Sequence, residues 1–70
     1  MYIKTQNNSI VNLSRACGLR KEGRSIVCNF GAGEQSDIGF FETEARTEEI
    51  MGEICNALFW EKIIYAMPEE

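Results

Sequence analysis

The hydrophobic period of the chain changes at Thr43, and this change limits the fold more than any other feature. Before Thr43, short apolar runs are broken every few residues by turn formers. YIKT (2–5) and SIVNL (9–13) flank Gln6-Asn7-Asn8, and Asn accepts the left-handed backbone that tight turns need, so a hairpin is predicted. ACGLRK (16–21) and SIVCNF (25–30) flank Glu22-Gly23-Arg24 and predict a second hairpin. In its second arm the alternation puts Ile26, Cys28 and Phe30 on one face, with Cys17 and Leu19 as a matching pair on the first arm. GAGEQSD (31–37) reads as a loop and 37–42 as a further strand, in which Gly39 marks a bulge or a close backbone approach.

After Thr43 the pattern is helical. Ile50, Met51, Ile54, Cys55, Leu58 and Phe59 form one stripe at a 3.6-residue period. Thr43 is a good N-cap with Glu44 behind it, and Thr47 is a rival that would shorten the helix by a turn. Gly52 suggests close approach of another element. The helix should run over about 44–60, and Pro68 forbids helix near Met67. A turn near Trp60-Glu61-Lys62 and an extended segment over 63–67 follow. The expected fold is α+β, a single domain over 1–70. It comprises a small antiparallel sheet of four to six hairpin-connected strands, one amphipathic helix in the C-terminal half and a short terminal extended segment.

A chain of 70 residues buries only about 60% of the surface that it exposes when unfolded. Domains of this size usually need a staple: disulfides, a metal or a partner chain. Cys17, Cys28 and Cys55 are an odd number without a CxxC pair, and there is no histidine, so no metal site is expected. Tyr2, Lys4 and Gln6 interrupt any signal-like apolar run, and no window has the length of a membrane span. The expectation is a cytoplasmic protein with reduced thiols, no membrane contact and no cofactor, stapled by self-association as a homodimer. A net charge of −4 argues against nucleic-acid binding, which needs Lys and Arg to displace phosphate counterions.

The stretches YIKTQNNSIVNL, IVCNF, GFFETEARTEEIMGEI and IIYAMPEE together resemble a group of small proteins. These are encoded by Gram-positive, mostly clostridial, bacteria and by their phages and mobile elements. The distinctive parts are Ile10-Val11-Asn12-Leu13, Glu42-Thr43-Glu44 and Met67-Pro68-Glu69. The resemblance implies a small antiparallel sheet followed by one helix, and a host range. It brings no catalytic residues. The chain departs from that pattern at Phe59-Trp60, where a more polar stretch is expected.

The residues available for chemistry are few. Without histidine there is no Cys–His or Ser-His-Asp arrangement, and the three cysteines sit at core-facing spacing. Gly31-Ala32-Gly33 begins like a dinucleotide-binding loop but precedes a strand rather than a helix. A phosphate on loop amides is the remaining reading there. Glu44, Glu48, Glu49 and Glu53 lie off the apolar stripe and should form a solvated acidic face, or one that imitates nucleic-acid phosphates. Arg15, Arg20, Lys21 and Arg24 lack interleaved aromatics for base stacking, but Arg20 and Arg24 could hold a nucleotide-like anion.

What remains is surplus apolar surface. Tyr2, Phe41, Phe59, Trp60 and Tyr65 exceed what one helix on one small sheet can cover, so Phe41, Phe59, Trp60 and Tyr65 are assigned to an interface, with Ile63 or Ile64 closing the core. The function expected is a non-catalytic interaction protein of phage or mobile-element type, with inhibition of a host defence protein as its foreseen role. A small-ligand binder or sponge acting as an oligomer, and a structural or regulatory subunit, are the alternatives. An enzyme is not expected.

Overall fold

The computed structural model of the chain describes residues 1–69; Glu70, the last residue of the expected domain, lies outside the described residues. The fold is α+β. Six strands, β1 (Tyr2–Lys4), β2 (Ile10–Asn12), β3 (Gly18–Glu22), β4 (Ser25–Gly31), β5 (Glu34–Phe40) and β6 (Ile64–Ala66), accompany one helix, α1 (Glu44–Phe59). A 3-10 turn over Leu13–Arg15 links β2 to β3. The strands divide between two three-stranded sheets instead of one. Sheet A has the order β2-β1-β6, and sheet B has the order β3-β4-β5.

Sheet B is an antiparallel meander, and each connection is dictated locally. Glu22 pairs with Ser25 around Gly23, whose φ is +62°. Gly31 pairs with Glu34 around Ala32 and Gly33, at φ +52° and +81°. Two left-handed residues are what a mirror-image two-residue hairpin turn requires. The region read as a loop over 31–37 is therefore mostly strand, and β5 begins at Glu34 instead of residue 37. A bulge follows in β5: Ile26 pairs with Gly39 and Val27 with Asp37, leaving Ile38 extra. That shift sends both Ile38 and Phe41 inward.

Sheet A is built from opposite ends of the chain. β1 pairs antiparallel with β2 through the Thr5–Ser9 turn, in which Asn8 has φ +66°. It pairs with β6 in parallel, Tyr2 opposite Ile64 and Lys4 opposite Ala66. Period two then puts Val11, Ile3 and Tyr65 in one inward row and leaves Tyr2, Ile64, Ile10 and Ala66 facing out.

Thr43 caps α1: its backbone is extended and its side chain accepts the Arg46 N–H at 3.0 Å. The rival, Thr47, is buried within the helix, its hydroxyl donating to the Thr43 carbonyl at 2.9 Å. The buried face of α1 is Thr47, Ile50, Ile54 and Ala57. The expected stripe is thus rotated: Ile50 and Ile54 belong to the core, Met51 is half-buried, and Cys55, Leu58 and Phe59 are exposed. Gly52 faces open space, so it serves no close approach.

One core joins the two sheets to the helix: Ile3, Ile26, Cys28, Ile38, Phe41, Ile50, Ile54 and Met67. Phe41, expected at an interface, is only 1% exposed. It lies beneath Gly39, where an added Cβ would meet Met67 Cε at 2.6 Å and Phe41 Cε2 at 3.0 Å. Its neighbour Phe40 points outward instead. Neither Ile63 nor Ile64 closes the core; Met67 does, with Tyr65 packed against it. Of the three cysteines only Cys28 is buried, which raises its pKa, while Cys17 and Cys55 are exposed.

Candidate functional site

Three arrangements named in the sequence can be located. The first is the Arg20–Arg24 pair, and the fold separates it. Arg20 lies on the outer face of sheet B, where it donates to Glu22 at 2.9 Å and reaches across the central strand to Gln35 at 2.9 Å. Its register partner Val27 is buried beneath that reach. Arg24 sits over the Phe40 ring at 4.9 Å and donates to the Glu42 carbonyl. Two guanidiniums with separate partners do not converge on one anion. The glycine loop is also spoken for: the Gly31 N–H donates to the Asn29 side chain at 2.8 Å.

The second is the acidic helix. Its carboxylates do not share one face. Glu44 and Glu48 turn toward sheet B, each 3.9 Å from Lys21 Nζ. Glu49 sits 3.5 Å from Arg46. Glu53 turns toward sheet A and accepts the Tyr65 hydroxyl at 2.8 Å. Burial, followed by this bond to a carboxylate, pushes the Tyr65 pKa well above the ordinary phenol value. A phosphate imitation needs a row of free anions, and here cations and a phenol intersperse them.

The third is the surplus apolar surface, and the fold concentrates it. α1 ends in a Schellman motif: Lys62 N–H donates to the Ala57 carbonyl at 3.0 Å and Glu61 N–H to the Leu58 carbonyl at 3.1 Å, with Glu61 left-handed at φ +53°. The motif reverses the chain toward β6 and leaves the last helical turn uncovered. Phe59 is 76% exposed and stacks edge-on with Trp60 at 5.3 Å, itself 65% exposed. Ile63 is 80% and Ile64 54% exposed, and Tyr2, the register partner of Ile64, adds its ring on the same sheet face. Leu58 is also exposed.

Phe59 and Trp60, which the sequence assigns to an interface, are exposed. Tyr65 lies alongside, facing inward, and Phe41 is elsewhere. Tyr2, Leu58, Ile63 and Ile64 complete the surface. Their signal was present: two bulky β-branched residues between a helix stop and a proline. Which side they face depends on the parallel pairing with β1.

Two concavities flank sheet A. An open groove of 540 Å³ runs along β2, lined by Ile10, Val11, Asn12, Arg15, Phe30 and Glu34. A smaller cleft of 360 Å³ separates β6 from α1. Among the described residues, no cluster of three or more Asp, Glu, Cys or His side chains could hold a metal, and no helix is long and apolar enough to cross a membrane. Compared with known proteins, the chain matches no protein-family model, no curated protein and no solved structure.

Proposed function

We propose that the chain is a non-catalytic interaction module that binds another protein through the apolar surface at the end of α1 and the start of β6. The observation that carries this is the run from Leu58 to Ile64, in which five apolar side chains, among them the only tryptophan, stand in solvent beside Tyr2. Contiguous apolar patches on small proteins mark interaction sites, and Trp and Tyr are the commonest interface anchors. The sequence lacks histidine, the side chain that most often serves as general base near neutral pH, and this supports the non-catalytic reading. The sequence resemblance to phage and mobile-element proteins supports a host protein as the target, with a defence component as the first class to test.

The test is a Trp60→Glu variant, checked for an unchanged far-UV circular dichroism spectrum. Wild type and variant are used in parallel to capture proteins from a Gram-positive host, and each captured protein is then purified and titrated. A partner bound by wild type should lose at least tenfold in affinity with Trp60→Glu, the scale of a central aromatic anchor. Equal affinity for a folded variant overturns the assignment of the surface.

A further inference from the structure

We infer that β6 is covered by the β6 strand of a second copy of this chain, the two pairing antiparallel about a two-fold axis at Tyr65. The inference rests on the interaction surface just described and names its occupant.

The register determines how such a pair would form. Tyr2 N–H donates to the Ile63 carbonyl at 2.8 Å and Met67 N–H to the Lys4 carbonyl at 2.9 Å. In a parallel ladder this assigns Ile63, Tyr65 and Met67 to β1 and aims the N–H and C=O groups of Ile64 and Ala66 away from it. β6 is the edge of its sheet, so those four groups have no strand beside them. In an antiparallel pair of identical strands, Ile64 falls opposite Ala66 of the second copy and Ala66 opposite its Ile64. Each such pair exchanges two hydrogen bonds, giving four in all, and Tyr65 meets Tyr65 between them. A large residue faces a small one in both pairs. One step beyond, Lys62 falls opposite Pro68, beside Glu69 of the second copy, so unlike charges meet at each end.

The other edges carry the devices that prevent such pairing. β3 bears Arg20, Lys21 and Glu22; β5 bears Glu34 and Asp37 and is bulged. β2 is cut off after three residues by the 3-10 turn carrying Arg15. β6 is as short as β2 and, like β2, uncharged, but no 3-10 turn follows it among the described residues, and it is bordered by the cleft against Glu53, Asn56 and Ala57, where an added strand would lie. Three paired residues bury little by themselves. Tyr2 and Ile64 on the outward face, with Phe59 and Trp60 near the strand's start, extend the contact toward the area that stable dimers need.

Sedimentation velocity of the full chain over a wide concentration range tests this, with two variants. Ala66→Pro deletes an outward N–H while keeping an extended backbone and the bonds of Tyr65 and Met67 to β1. It should weaken the dimer at least tenfold. Tyr65→Cys, with Cys17→Ser and Cys55→Ser, should oxidise to a covalent dimer, because a non-hydrogen-bonded pair holds its Cα atoms about 4.5 Å apart. Glu34→Cys in the same background should not. A wild-type monomer at every concentration, or a dimer that Ala66→Pro leaves unchanged, overturns the inference. Either result leaves the Trp60→Glu titration of a foreign partner intact as the test of the surface itself. A monomer whose foreign partner is lost with Ala66→Pro would show that the added strand comes from another protein, and would also overturn the second copy.

Discussion

The two sheets have the same number of strands and opposite constructions. Sheet B is continuous in sequence from Gly18 to Phe40, turns through two-residue hairpins, and guards its edges with charge. Sheet A joins residues 2–4 and 10–12 to residues 64–66, has strands of three residues, and leaves apolar side chains on its outer face. Local contacts form sheet B, so its strand pairing needs no segment from the end of the chain, although its inner face shares a core with Met67. Sheet A is complete only when α1 has folded and delivered β6, a closure over some sixty residues that carries a larger loop entropy. The half whose pairing spans the chain is also the half that exposes apolar surface.

The largest expected effect removes what the halves share. Phe41→Ala empties the centre of the common core and should cost about 3–5 kcal/mol, as much as a core of this size supplies. Both sheets should lose amide protection together. Survival of protection in β4 alone would mean that sheet B is an independent unit.

A smaller change separates them. The Gln6 side chain accepts the Phe40 N–H at 2.7 Å and donates to the carbonyls of Phe40 and Pro68, at 3.1 and 2.8 Å. It thus ties the end of sheet B to the segments flanking sheet A. Gln6→Ala should cost about 1–3 kcal/mol, with hydrogen exchange rising more in β6 than in β4. Equal increases in the two strands would refute the asymmetry.

The smallest effect has the opposite sign. Glu61 holds a left-handed backbone that glycine adopts freely and other residues adopt at a cost of about 1–2 kcal/mol. Offset by glycine's greater freedom in the unfolded chain, Glu61→Gly should stabilise by about 0.5–1 kcal/mol and slow exchange in β6. A urea midpoint that falls instead would show that the Glu61 side chain contributes more than its conformation costs.

The same contrast marks what could be read before the structure was seen. The β1–β2 and β3–β4 hairpins, the Thr43 cap, the stop near Trp60 and the extended terminal segment all rest on neighbours within a few residues, where turn chemistry and period act directly. The β4–β5 hairpin reads as a loop over 31–37 because its turn lies in Ala32-Gly33 and its second arm is polar. The assignment of Phe41 to the surface fails, because alternation says only that Phe40 and Phe41 oppose each other and not which faces the core; the bulge at Ile38 turns Phe41 inward. The helix stripe had the same ambiguity. Its adjacent pairs permit more than one buried face, and the sheets selected Thr47 and Ala57 over Cys55, Leu58 and Phe59. The acidic helix and the paired arginines read as units because they are close in sequence, but alternating strand faces and the turn of the helix sent their members to different neighbours.

By itself, then, the order of residues determined the α+β class, the single helix and its cap, and the presence of more apolar surface than one small domain covers. Only the tertiary structure decided that the strands split into two sheets, that β6 runs parallel to β1, and that the uncovered surface gathers where α1 hands over to β6. The physical reason is range. Propensity and periodicity act over a few residues, whereas the pairing of residues 2–4 with 64–66 and the choice of buried face are settled by how a limited core is shared among elements far apart in the chain.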